Sequence, residues 1–211
     1  MVGIEKALVI GGGIGGMCAA IELRKRGVEV DLVEIDPQWR VYGAGITITG
    51  AALRAFKTVG VLPAIMEQGC CTDGLDICLA NGTKISHLPS VRVAGDDIPG
   101  TGGIMRPILA RILSEATRAS GTSVRLGVTF TSIKDDGAKV DVTFSDGTRG
   151  RYDLVIGADG VNSKVREQLF PDAPKPRFTS TTSRLLLSPS QRLSRWSDWG
   201  LPASHSASIR K

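Results

Sequence analysis

Gly11, Gly13 and Gly16 stand at the spacing G-x-G-x-x-G, and the next extended run, Val28-Glu-Val-Asp-Leu-Val-Glu, closes on a carboxylate at Glu34. That set of residues suits the pyrophosphate and ribose of a dinucleotide. Gly11 permits a tight turn, Gly13 lets the backbone approach phosphate, and Gly16 lets helix and strand pack closely. Ile14 and Gly15 complete the turn, whose unpaired N–H groups at a helix start favour an anion. Glu34 can accept from both hydroxyls of an adenosine ribose, and its charge opposes a 2′-phosphate, so FAD or NAD is expected here rather than NADP. No other group of reactive residues competes with this one. Cys18, Cys70, Cys71 and Cys78 lack metal-type spacing, and His87 and His205 belong to no nucleophile–base arrangement.

The elements needed to hold such a site are legible around it. Lys6 to Ile10 is a short apolar run, Met17, Ala20 and Ile21 continue a helical face with Arg24 at its edge, and Gly27 stands where a helix-ending glycine belongs. A second stretch, Asp153-Leu-Val-Ile-Gly-Ala-Asp-Gly-Val-Asn-Ser-Lys-Val-Arg, reads as a buried strand running out at Asp159-Gly160 and passing into a helix near Asn162 or Ser163. Gly160 allows close backbone approach, and a carboxylate at the C-terminal end of a strand lies where α/β sheets bind ligands. The alternative is an ordinary turn with Asp159 as a helix cap.

Taken together, the two stretches resemble the FAD-dependent aromatic-ring hydroxylases, the single-component flavoprotein monooxygenases typified by para-hydroxybenzoate and salicylate hydroxylases. The resemblance implies that Asp159-Gly160 lies near the flavin pyrophosphate and serves both FAD and the nicotinamide donor. Val41-Tyr-Gly-Ala-Gly-Ile-Thr-Ile, with Gly45 inside it, resembles the loop that passes beside the flavin before a helix at Ala51 to Val59. This chain has Thr49-Gly50 where the family usually carries Pro-Asn. Arg106 precedes Pro107, a favoured first-turn residue, and Met105, Ile108, Leu109, Ile112, Leu113 and Ala116 follow at helical spacing. By resemblance Arg106 reaches the FAD phosphate or ribityl region; otherwise it is a solvated helix-start charge. The backbone at Val128 would lie beside the adenine. The implied activity is NADH- or NADPH-driven reduction of FAD followed by transfer of one oxygen atom to a small aromatic substrate. The flavin does the chemistry, so no catalytic side chain is expected.

The fold expected is α/β: a Rossmann-like FAD-binding lobe with a β-meander, an orphan β-hairpin from a substrate domain, and an irregular C-terminal tail. The runs Val124–Leu126, Val128–Ile133, Val140–Phe144 and Gly150–Ile156, separated by Asp-Gly turns, read as the meander. Leu75, Ile77 and Leu79 alternate before Asn81-Gly82, a type I′ turn signal, and Ile85 and His87 return. Residues 1–176 are assigned to the FAD-binding domain, with 74–98 as a partial substrate-domain excursion. Val93 to Gly100 reads as a loop. The resemblance also implies that the C-terminal half of the family, with most of the substrate sheet, is missing.

Residues 177–211 change character. They are Ser-rich and hold six basic residues against Asp198, which accounts for the formal +5 of the whole chain. A basic arm with Trp196 and Trp199 could meet nucleic acid or membrane, but sequence unrelated to the family, without a packed core, is the simpler reading, so neither partner is expected. No apolar run is long enough to span a bilayer, Glu5 and Lys6 interrupt any leader, and the four cysteines suit a reducing cytoplasm. An inert FAD-binding fragment, or a flavin dehydrogenase or oxidase on the same lobe, are the other readings.

Overall fold

A computed structural model of the chain describes residues 3–41 and 43–177. The first apolar run forms β1 (Lys6–Ile10), in which every residue after Lys6 is buried. α1 (Ile14–Lys25) follows, burying Gly16, Met17, Ala20 and Ile21, and it ends at Arg26 with Gly27 in the left-handed region at φ +80°. The crossover returns the chain as β2 (Glu29–Glu34), parallel to β1 from Lys6↔Glu29 to Ile10↔Val33.

The next stretch departs from the expected loop. β3 (Gly45–Thr49) is a strand with Ile48 buried. Two isoleucines alternating in five residues are a faint signal, and the strand exists because a distant segment offers it a partner. Thr49, in the place of the usual Pro-Asn, caps α2 (Gly50–Val59), its hydroxyl accepting from the Ala52 N–H. α3 (Leu62–Gln68) and β4 (Cys70–Thr72) lead into a hairpin of β5 (Gly74–Cys78) and β6 (Lys84–Pro89). The segment from 91 to 100 is a loop, as the sequence suggests, tied back by Arg92 to Asp73 at 2.7 Å. β7 (Thr101–Met105) then pairs antiparallel with both β3 and β4, and α4 (Arg106–Ala119) begins with Pro107 in its first turn. Met105, expected on the apolar helical face, is the residue before the helix and is half exposed.

The remaining strands correct the expected meander at both ends. β8 (Ser123–Leu126) does not belong to it but pairs parallel with β2. β9 (Phe130–Asp135), β10 (Val140–Phe144) and β11 (Arg149–Tyr152) are the antiparallel meander. The run from 150 to 156 then breaks at Asp153, whose carboxylate accepts from the Lys6 N–H at 2.9 Å, and β12 (Leu154–Gly157) joins the main sheet beside β1. Tyr152 and Leu154 flank Asp153 with no glycine or proline between them, so the sequence carries no turn signal to mark the change of sheet. α5 (Lys164–Leu169) is the last element described.

The main sheet has the order β12-β1-β2-β8 with every pairing parallel. Leu8, Ile10 and Val33 pack against Val142, Phe144 and Tyr152 of the meander, while Ala7, Val9 and Leu32 pack on Ala20 of α1. Both faces are therefore covered, which is why β1 reads as continuous hydrophobic sequence. A further core joins α1 to α2, α3 and α4 through Met17, Leu53, Ile65 and Leu113. The β5–β6 hairpin stands apart as a two-stranded sheet. Its turn is not type I′, because Asn81 does not have positive φ. Gly82 alone does, at +85°, and donates its N–H to Leu79 O, giving a three-residue loop closed by a left-handed glycine.

Candidate functional site

Four parallel strands place their C-terminal ends along one edge, so the segments following Ile10, Glu34, Leu126 and Gly157 form a common crevice. Backbone hydrogen bonds stitch it together. Gly11 N–H donates to Val33 O at 2.8 Å, Ala158 N–H to Ile10 O at 2.7 Å, and Val128 N–H to Glu34 O at 3.1 Å. The glycine turn, Glu34, Val128 and the Asp159-Gly160 segment are thus neighbours, as the sequence reading expects.

The glycines divide into two kinds. A Cβ on Gly11, which has φ +109°, would lie 2.4 Å from Ala158 O, and one on Gly16 would lie 1.9 Å from Gly11 O. These two are glycine because backbone meets backbone. A Cβ on Gly13 or Gly15 would meet nothing within 4 Å. These two face open space at the start of α1. The first intrahelical bond is Met17 N–H to Gly13 O at 2.9 Å, and no side chain caps the helix. Gly13, Ile14 and Gly15 therefore present N–H groups ahead of the helix ladder, at the positive end of its dipole.

Glu34 faces this turn. Its Oε2 accepts from Gly12 N–H at 2.7 Å and its Oε1 from Asp36 N–H at 2.8 Å. An ionised carboxylate has about four acceptor positions, so each oxygen keeps one for a further donor. Trp39, a residue the sequence reading passed over, completes the turn. Its indole N–H donates to Gly12 O at 2.7 Å, and the Arg118 guanidinium lies 5.2 Å from its ring. Trp39 is also the non-glycine residue with positive φ, 51°, among the described residues, a conformation costing about 1–3 kcal/mol that surrounding contacts must offset. The signal available beforehand was a large aromatic in the polar stretch Asp36-Pro-Gln-Trp-Arg.

The Asp159 side chain is engaged as the helix-cap alternative describes. Its Oδ1 accepts from Ser163 Oγ at 2.5 Å, and its Oδ2 from the N–H groups of Lys164 at 2.7 Å and Val165 at 3.1 Å. Partial burial disfavours its charge, but these hydrogen bonds win and hold the carboxyl below the usual aspartate range. Its side chain fastens the start of α5, and its backbone borders the Gly11 turn. Gly160, at φ +84°, has open space beside it.

Arg106 and Gly45 form a second group. Arg106 N–H donates to Ala44 O at 3.1 Å, its Cδ would touch a Cβ on Gly43 at 3.0 Å, and Gly45 pairs with Met105. Among the described residues nothing accepts from the Arg106 guanidinium. A Cβ on Gly45 would lie 3.6 Å from Ile104 O, an ordinary contact, so packing does not demand glycine there. Trp39 borders the first group and a neighbouring groove. It holds Gly12 on one side and, with Arg40, Pro107, Arg111, Arg118 and Leu126, lines a surface groove of about 520 Å³ on the other. Among the described residues no cluster of His, Cys, Asp or Glu could hold a metal, and the four cysteines are free.

This set fits the ADP half of FAD: two acceptor positions for a ribose, exposed N–H groups for a pyrophosphate, and room where Gly13 and Gly15 lack side chains. Comparison with known proteins agrees. Residues 5–188 match the model of the FAD binding domain family. The aurachin C monooxygenase/isomerase of Stigmatella aurantiaca is 32% identical over 180 residues, covering 83% of this chain and 45% of that protein. The 2-heptyl-3-hydroxy-4(1H)-quinolone synthase of Pseudomonas aeruginosa is also 32% identical, over 85% of this chain and 46% of the relative. The solved structure of 2-methyl-3-hydroxypyridine-5-carboxylic acid oxygenase superposes with a TM-score of 0.66 at 27% identity, covering 80% of this chain and 43% of that one. The chain thus spans a little under half the length of the relatives it matches. With the family model matching most of its length, the chain belongs to the FAD-binding domain family found in FAD-dependent monooxygenases.

Proposed function

We propose that the chain is the FAD-holding part of an NADH- or NADPH-dependent monooxygenase that hydroxylates a small aromatic molecule. The observation that carries the reading is the juxtaposition of Glu34, with an acceptor position left on each oxygen, and the open N–H groups of Gly13, Ile14 and Gly15. In this reading Glu34 holds the adenosine ribose and Gly11 to Gly16 cradle the pyrophosphate. The backbone at Val128 borders the adenine, and Asp159-Gly160 closes the crevice from the β12 side. Arg106, whose guanidinium has no acceptor among the described residues and which is set against the Gly43–Gly45 loop, reaches the phosphate or ribityl chain. Bound FAD would supply the redox chemistry, taking reducing equivalents from the nicotinamide and activating O2. The residues of this chain bind and orient; none transfers a proton.

A second reading concerns competence. The chain spans less than half of its relatives, and its β5–β6 hairpin exposes Leu75, Ile77, Leu79, Ile85 and Leu88. Excluding water from the reaction needs walls on every side of the reacting ring. The 211-residue chain by itself is accordingly proposed to hold FAD without turning over substrate.

Titrating the purified chain with FAD tests the first part. Saturable quenching of flavin fluorescence is expected, and its absence would count against the flavoprotein reading. Adding NADH or NADPH with phenolic substrates tests the second. Slow or absent oxidation is expected, hydroxylated product in proportion to cofactor consumed would show a complete enzyme, and product without incorporated oxygen would indicate a dehydrogenase or oxidase.

A further inference from the structure

We infer that Trp39 is a positioning residue for the dinucleotide, acting through the peptide that joins Gly12 to Gly13; the inference rests on the FAD-binding reading above. In a trans peptide the C=O and the following N–H point in opposite directions. The Trp39 indole N–H grips Gly12 O at 2.7 Å from one side, so the Gly13 N–H is aimed at the other, where a Cβ on Gly13 would meet nothing within 4 Å. The preceding peptide is fixed as well, because the Gly12 N–H is held by Glu34 Oε2 at 2.7 Å.

A glycine run left to itself would sample several orientations of these two peptides, and each would aim the N–H groups differently. Trp39 removes that freedom. The space around Gly12 is shaped for it: a Cβ there would lie 2.5 Å from the indole nitrogen. The indole is itself held by Arg118 of α4 over its ring and by the apolar residues of two core clusters. The left-handed backbone at Trp39 is thus maintained by contacts to α4 and to the core, and what it delivers is one N–H to one carbonyl at the mouth of α1.

The test uses the full chain and two ligands, FAD and ADP, the latter lacking the flavin. Trp39→Phe keeps an aromatic ring under Arg118 and removes the N–H. It is expected to weaken FAD and ADP by the same factor, about 3- to 10-fold, the range for losing one neutral hydrogen bond. A role confined to stability would lower the unfolding midpoint and leave both affinities unchanged well below it. That outcome would overturn the inference, as would a loss for FAD without one for ADP. Arg118→Met retains the indole N–H but frees the ring, and a smaller loss in the same direction is expected. It carries the test if Trp39→Phe does not fold, and unaltered affinity in a folded Arg118→Met would then overturn the inference. Failure of the unmodified chain to bind either ligand would instead overturn the FAD-binding reading and take this one with it.

Discussion

The β1–α1–β2 unit and the β5–β6 hairpin are both made of short apolar runs around a glycine-bearing turn, yet one is finished and the other is not. β1 buries four consecutive residues between α1 and the meander. The hairpin leaves five large apolar side chains between 41% and 58% exposed. The difference does not lie in the residues themselves, since Leu and Ile are used in both. It lies in whether the described chain supplies a second layer, because a strand's apolar face stabilises only when something covers it. In the proposed function the nucleotide crevice belongs to the finished region, and the walls a substrate would need would belong with the unfinished one.

The sharpest way to break this contrast is to crowd the finished region. On an exposed helix, replacing glycine by alanine stabilises by roughly 1 kcal/mol. Gly16→Ala should reverse that sign, since the new Cβ would stand 1.9 Å from Gly11 O and neither backbone can yield without opening the β1–α1 turn. A loss of about 3 kcal/mol or more is expected, read from the urea midpoint. Gly13→Ala makes the opposite control, because its Cβ has open space. It should leave the midpoint nearly unchanged and weaken FAD. Glycine spacing in the sequence identified this turn but could not sort its members. Which glycine guards packing and which leaves open space is a matter of what lies across from each: Ala158 from a distant strand end for Gly11, Gly11 O across the turn for Gly16, and nothing for Gly13 and Gly15.

Next in size, Glu34→Ala should weaken FAD by about 1.5–3 kcal/mol, the worth of charge-assisted hydrogen bonds, or about 10- to 150-fold in Kd. Equal FAD affinity in the variant would remove the ribose assignment. Glu34 was legible because strand, turn, helix and acid stand in one register along the chain. Trp39 was not. Its contacts are with Gly12 and Arg118, and no periodicity links residue 39 to either. The β8 strand was misplaced for a similar reason, since a four-residue run cannot announce whether its partner is parallel β2 or an antiparallel neighbour.

Asp159 offers a smaller, pH-dependent effect. Its carboxyl is held below the usual aspartate value near 3.9 by the hydrogen bonds that start α5, so its contribution is present above that value and fades as pH falls through the lower folded one. Asp159→Ala should cost about 0.5–2 kcal/mol at neutral pH, as loss of a helix cap does. The difference from the unmodified chain should shrink below about pH 4. Comparing the two chains matters because Asp136 and Asp146, held at about 2 by turn hydrogen bonds, also titrate in acid. A difference that persisted undiminished at pH 2 would show that the carboxylate is not what fastens α5.

The smallest effect is expected in the hairpin, and it decides whether the two regions differ as argued. Leu75 pairs with Leu88 across the β5–β6 ladder, both about half exposed, so changing both to serine removes apolar surface that the described fold does not cover. Surface changes of this kind alter stability by about 0.5 kcal/mol or less, and the urea midpoint should hardly move. Binding of a hydrophobic dye and concentration-dependent association should fall, because bare apolar edges promote both. If the paired change instead lowered the midpoint by as much as crowding Gly16 does, the hairpin would have to be packed in solution. The unfinished region would then be complete after all, with some other part of the chain as its cover.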